Sequence, residues 1–258
     1  ARGPKVLRST LSNLPAHFST QQRMFDLGNI VCTNRNLEEA QNQLSIAVSE
    51  ILKNGGFPVL LGGGHEILYG HYGGVKKNYL SKKIGVINFD AHFDLRSVAE
   101  RAATSGTGFY QIAQDCKTEK NDFLYFAIGI LESGNTLELF DRADELNVEH
   151  ILARDFHFSN LAGIKSKIRT FMDKTDIICL TIDMDVFASA DAPGVSAPSA
   201  TGIRCDLVFY EILKCIVESK KVISMDIAEL NPGFDIDDHT AKLAASIVFD
   251  WVKLNEEK

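Results

Sequence analysis

Ile84-Gly85-Val86-Ile87-Asn88-Phe89-Asp90-Ala91-His92-Phe93-Asp94 joins a mostly apolar run to three potential metal ligands on alternate residues. The run at 84–89 reads as a buried parallel strand. If the chain stays extended beyond Phe89, Asp90, His92 and Asp94 project to one side and converge where the strand ends. Two carboxylates and an imidazole that close repel or titrate unless a cation lies between them, so a bound metal is the economical explanation.

Outward from this stretch, strands alternate with helices. Strands are expected at 57–61, 84–89, 123–130, 148–152, 177–182 and 222–227. Helical patterns cover 6–14, 37–53, 66–79, 137–146, 164–173, 206–218 and 239–254. Gly70, Gly73 and Gly74 weaken the third of these helices. Gly3-Pro4 reads as a turn, 95–122 is mixed with a loop at 104–108, and an Ala/Pro/Gly/Ser-rich loop runs over 188–202. The alternation predicts a three-layer α/β/α fold with a mostly parallel central sheet. No linker or internal repeat divides the chain, so 1–258 is expected to form a single domain.

Composition narrows the function. The chain has 258 residues, 45% hydrophobic and 24% charged, as ordinary globular proteins do. A net charge of −7 argues against nucleic-acid or anionic-membrane partners, and no apolar run reaches membrane-spanning length. Five cysteines without a C-x-x-C pair read as free thiols in a reducing, cytoplasmic compartment.

Polar groups collect at the carboxyl ends of the expected strands, where open α/β sheets bind ligands. His65 follows 57–61 through Gly62-Gly63-Gly64, Asp90, His92 and Asp94 follow 84–89, Asp183 and Asp185 follow 177–182, and Glu229 follows 222–227. Four carboxylates with two imidazoles suit two divalent ions, about 3.5–4 Å apart in two-metal enzymes. The donors point to Mn²⁺, with Zn²⁺, Fe²⁺ or Co²⁺ as alternatives. His71 reads as a surface residue, and His17, His150, His157 and His239 as structural or exposed.

Gly-Gly-Gly-His at 62–65, Asp-Ala-His-Phe-Asp at 90–94 and Thr-Ile-Asp-Met-Asp at 181–185 resemble the metal motifs of the arginase/agmatinase superfamily of ureohydrolases. Asp-Ile-Ala-Glu-Leu-Asn-Pro at 226–232 resembles a fourth family segment. The resemblance implies an arginase-like metallohydrolase with two Mn²⁺ ions. His65, Asp90, Asp94 and Asp183 would hold one ion and Asp90, His92, Asp183 and Asp185 the other, so that Asp90 and Asp183 bridge. It further implies that Asp94 handles a proton and that Glu229 pairs with the cationic C–N end of the substrate. The family's first strand precedes Arg2-Gly3-Pro4, so a longer natural chain is expected. Some family members form homo-oligomers.

Two departures select a branch. The loop Ser105-Gly106-Thr107-Gly108-Phe109 lacks the histidine of arginases and agmatinases, and Ala192-Pro193-Gly194-Val195-Ser196-Ala197-Pro198 replaces their Gly-Thr-rich continuation. Both, with Gly-Gly-Gly-His-Glu at 62–66, look like the formimidoylglutamase branch, which cleaves N-formimidoyl-L-glutamate to L-glutamate and formamide in histidine degradation. This small anionic substrate needs a cation, and Arg96, two residues past Asp94, is placed to supply one. Thr107 is a further substrate contact by family position. The alternatives are hydrolysis of a guanidino acid and a non-catalytic ligand-binding relative.

Overall fold

The computed structural model describes residues 2–19, 22–98 and 102–256. Six strands form one sheet: β1 (Val59–Leu61), β2 (Ile84–Phe89), β3 (Leu124–Ile130), β4 (Glu149–Leu152), β5 (Ile177–Asp183) and β6 (Val222–Ala228). Their order is β1-β6-β5-β2-β3-β4, and every pairing is parallel. From β2 the chain lays β3 and β4 to one side, then returns to place β5 and β6 on the other. The β2–β5 boundary is therefore where the winding reverses, and the crevice above it is the expected binding place in such sheets.

Among the described residues, eight α-helices cover the sheet: α1 (Gly3–Leu11), α2 (Leu37–Lys53), α3 (Ile67–Asn78), α4 (Gly108–Glu119), α5 (Leu137–Glu145), α6 (Leu161–Asp173), α7 (Leu207–Glu218) and α8 (His239–Glu256). The strands are apolar on both faces and feed two separate cores. Ile87, Phe89, Phe126 and Ile182 pack with α1, α6, α7 and α8. Val86, Tyr125 and Cys179 pack with α2, α3, α4 and α5. The three-layer α/β/α expectation holds. No described helix is long and apolar enough to cross a membrane.

Three local expectations need correction. Gly3-Pro4 opens α1 rather than forming a turn, because proline's fixed φ and missing N–H suit the first helical turn. The mixed region contains α4, whose buried Phe109, Ile112, Ala113 and Cys116 keep helical spacing, and the expected loop at 104–108 tightens into its entry. β1 starts at Val59, leaving Phe57 to stack on Trp251 at 5.8 Å.

The glycines of α3 weaken its helical signal for a reason that lies in its neighbour. A Cβ on Gly70 would sit 2.7 Å from Gln41 O, and one on Gly74 would sit 2.5 Å from Val48 Cβ and 2.7 Å from Ser45 O. Both glycines let the α2 backbone approach. Gly74→Ala gains intrinsic helix propensity yet is expected to destabilise the chain by about 1–3 kcal/mol through overpacking. A denaturant midpoint equal to or above that of the wild type would contradict this account of the α2–α3 contact.

Candidate metal centre

The register of the sheet builds the site. Phe89 pairs with Ile182 and Thr181 with Asp226, so the chain emerges from β2, β5 and β6 at one level. The glycine run extends the β1–β6 contact past β1: Gly62 N–H donates to Ile227 O at 2.7 Å, and Glu229 N–H donates to Gly63 O at 2.7 Å. A Cβ on Gly64 would overlap Glu66 Oε2 and lie 3.0 Å from Glu229 Oε1. Gly64 thus makes room for two carboxylates beside His65, whose N–H donates to Glu229 Oε1 at 2.9 Å.

Two groups of possible ligands result, and they share one residue. His65, Asp90, Asp94 and Asp183 form the first, and Asp90, His92 and Asp185 the second. Around His65 Nδ1 lie Asp90 Oδ2 and Asp94 Oδ2, each at 3.1 Å, and Asp183 Oδ2 at 3.3 Å. His92 Nδ1 lies 3.1 Å from Asp185 Oδ2 and 3.5 Å from Asp90 Oδ1. Asp90, as expected, belongs to both groups. Asp183 belongs to the first alone, and its Oδ1 accepts the Asp185 N–H at 2.8 Å.

The alternation argument for 90–94 is corrected by the backbone. β2 ends at Phe89, and Asp94 has φ +50°, in the left-handed region. Asp94 therefore turns back towards His65 instead of lying in line with Asp90 and His92. Asn135 holds the turn: its Oδ1 accepts Phe93 N–H at 3.0 Å, and its Nδ2 donates to Ala91 O at 2.9 Å and Leu131 O at 2.8 Å. Asn88 Nδ2 donates to Asp90 Oδ2 and to Tyr125 Oη, both at 3.1 Å. Glu229 is also left-handed, at φ +62°. Non-glycine residues held there are strained, and such strain collects at functional sites.

Electrostatics agree that a cation is wanted. Burial and the neighbouring Asp185 and Asp90 charges push Asp183 well up. Burial and Asp90 also raise Asp94, and they push Asp185 up to about 7. Burial raises Asp90 too, but hydrogen bonds to His65 and His92 outweigh it and leave Asp90 below the usual carboxylate range. Burial works against a charged His65, yet hydrogen bonds to three aspartates raise it well above normal. Bonds to Asp185 and Asp90 raise His92 to about 11. The upward shifts of both imidazoles and of three of the four carboxylates follow from crowded negative charge, which a cation would relieve. The oxygen-rich, thiolate-free donor set fits a pair of hard or borderline divalent ions.

The other expected site residues divide. Glu229 is half-buried, and burial, with Glu66 nearby, raises its carboxyl. Arg96 is exposed. Its N–H donates to Gly106 O at 2.9 Å, and its stem lies over Gly106. Thr107 is buried, and its hydroxyl is engaged in a capping box with Thr104 and in a 3.0 Å bond to Gln111 Oε1. That hydroxyl is thus engaged at the entry to α4. His71 corrects its surface reading: it is fully buried, 2.6 Å from Asp226 Oδ2. Asn88, Tyr125, Asn135 and His71 were not singled out for the site; the apolar spacing around His71 on α3 was the one signal of its burial.

Comparison with known proteins matches this arrangement. A model of the arginase family covers residues 1–253. Formimidoylglutamase of Clostridium tetani is 43% identical over 256 residues, which is 98% of this chain and 75% of that protein. Formimidoylglutamase of Chromobacterium violaceum is 43% identical over 250 residues, 96% of this chain and 79% of that one. The crystal structure of formimidoylglutamase from Bacillus subtilis superposes with a TM-score of 0.88 at 24% identity, covering 99% of this chain and 81% of that chain. Trypanosoma cruzi formiminoglutamase with Mn²⁺ superposes with a TM-score of 0.82 at 21% identity, covering 97% and 84%. With the family model matched over nearly its whole length and an Asp/His site at the reversal of its sheet, this chain belongs to the arginase family.

Proposed function

We propose that this chain is a formimidoylglutamase: it hydrolyses the C–N bond of N-formimidoyl-L-glutamate, giving L-glutamate and formamide, a step of histidine degradation. The observation that carries the reading is the pair of ligand groups joined through Asp90. The 43% identical relatives support the choice of substrate. The single six-stranded sheet supports treating the chain as one structural unit. The buried thiols of Cys116, Cys179 and Cys215 fit a reducing cytoplasm.

The cofactor is taken to be a pair of Mn²⁺ ions. His65, Asp90, Asp94 and Asp183 would hold one, and Asp90, His92 and Asp185 the other. When bound, such a pair lowers the pKa of a shared water and so supplies a nucleophile near neutral pH. The protein side chains supply the rest. Glu229 Oε1 is held by the His65 N–H, and Oε2 is left to accept a hydrogen bond from the substrate amidinium. Asp94, the most exposed carboxylate of the first group, sits at the mouth and can carry a proton to the departing glutamate nitrogen. Arg96, exposed and two residues past Asp94, would pair with a substrate carboxylate through two parallel hydrogen bonds.

The purified, Mn²⁺-loaded protein is expected to release glutamate and formamide, with no urea from guanidino acids; absence of glutamate would end the assignment. Glu229→Gln should lower kcat/KM by about tenfold to a hundredfold, the worth of one charge-assisted hydrogen bond. Arg96→Met should raise KM by a similar factor and spare kcat, since a carboxylate clamp binds ground and transition states alike. An Arg96→Met defect confined to kcat would remove Arg96 from substrate binding.

Metal binding should also depend on pH. In the chelator-stripped protein each His–Asp contact holds a proton, which incoming ions displace. The folded chain keeps protons on Asp185 up to about 7 and on His92 up to about 11, beyond the unfolded values. The stability tied to those raised values is full at low pH and is lost as pH rises through them, while ion affinity increases in the same direction. The rise in Tm on adding Mn²⁺ should therefore be larger at about pH 8.5 than at about pH 6. A rise that shrinks with pH would contradict the ligand set.

A further inference from the structure

Behind the ligand groups lies a second polar cluster that the proposed reaction does not use. His71 on α3, Thr181 on β5, and Ser224 and Asp226 on β6 are all fully buried. His65 Nε2 lies 2.8 Å from Thr181 Oγ1, and Thr181 Oγ1 donates to Asp226 Oδ1 at 2.7 Å. Asp226 Oδ2 is 2.6 Å from His71 Nδ1, and His71 Nε2 is 2.7 Å from Ser224 Oγ. The four groups form a continuous chain that leads away from the cage into the sheet.

The direction of the chain is fixed by counting protons. A hydroxyl has one hydrogen to give, and Thr181 gives it to Asp226. Thr181 must then accept from His65, which places the imidazole hydrogen on Nε2. That leaves Nδ1 as the ring nitrogen facing Asp90, Asp94 and Asp183, the one a metal ion would take in place of a proton. Asp226 anchors the chain as an acceptor, with Thr181 on one oxygen and His71 on the other. Buried without exposure, it needs a donor on its second oxygen, and His71 Nδ1–H is the donor in place.

We propose that His71 is a positioning residue: paired with Asp226, it fixes through Thr181 the tautomer and ring plane in which His65 offers Nδ1 to a metal ion. The proposal rests on the reading of His65 as a ligand. A carboxylate behind a ligating histidine is a general means of orienting the ring, and losing such a partner costs about 10–100-fold in metal affinity. Here the carboxylate acts through a hydroxyl and is itself held by a second histidine.

The test is Mn²⁺ affinity and stoichiometry of the full chain, by chelator competition and metal analysis, beside Tm in excess chelator. His71→Leu and Thr181→Val should each weaken one of two ions by about 10–100-fold. Their double variant should be no weaker than the worse single one, because both break the same chain. His71→Asn, whose amide can donate to Asp226, and Thr181→Ser should retain both ions. Rescue by these two separates positioning from mere packing, and Thr181→Val against Thr181→Ser carries the test if His71→Leu does not fold. Wild-type affinity in folded His71→Leu, or additive losses in the double variant, would overturn the proposal. In His65→Ala, loss of one ion with no loss in His71→Leu condemns the chain alone, whereas retention of both ions condemns the ligand assignment beneath it.

Discussion

Four carboxylates confined to one buried pocket are the constraint from which the rest of the architecture follows. Like charges at such distances cannot all ionise without compensation, and burial removes the water that would otherwise screen them. The protein answers with two imidazoles within about 3 Å of carboxylate oxygens and with N–H groups of its own backbone, such as His92 N–H on Asp90 and Asp185 N–H on Asp183. Repulsion of this kind is tolerated where the fold is stiff. Accordingly, the four carboxylates start from the ends of β2 and β5, two adjacent, fully buried parallel strands.

Stiffness alone does not aim the ligands. Asp94 and Glu229 adopt left-handed backbone conformations, each costing of order 1–3 kcal/mol unless the surroundings impose it. Asn135 imposes the first by holding the backbone of 91–93 from outside. The second is imposed by the Gly62–Gly64 run, which bonds to the end of β6 and takes the Glu229 N–H. The loop after β5 completes the wall: Asn231 N–H donates to Gly194 O at 2.7 Å, and Asn231 Nδ2 to Ser196 Oγ at 3.0 Å. The residues of the third and fourth motifs are therefore tied to one another as well as to the centre.

Most of the frame was legible because it rests on strong periodic signals. The apolar runs at 84–89 and 177–182 end where their first polar ligands begin, and the parallel sheet covered by helices on both faces follows from the alternation. What escaped depends on partners distant in the chain. The glycines of α3 read as weakness until Gln41, Ser45 and Val48 of α2 are seen against them. His71, in that glycine-rich stretch, read as surface because its partners are 153 and 155 residues away. Asp94 was placed by strand alternation, although its approach to His65 depends on a left-handed turn that no spacing rule foretells. Thr107 reads as a substrate contact by family position, and the structure adds a local role for it in the Thr104–Thr107 capping pair.

Arg96, the proposed substrate contact, lies farther along the same connection that carries Asp90, His92 and Asp94, and this placement bears on specificity. The six possible metal ligands stand on or just beyond strands β1, β2 and β5, fixed by ladder register. Arg96 and the 104–107 turn lie later on the connection between β2 and α4, joined by the Arg96 N–H to Gly106 O bond. Gly106 leaves space for the arginine stem, and a side chain there would meet Arg96 Cδ at 3.2 Å. A change in that connection can alter which carboxylate or cation the mouth receives without shifting an aspartate. The centre then stands at rigid strand ends, while Arg96 stands on a loop, the kind of segment on which recognition varies without disturbing the chemistry.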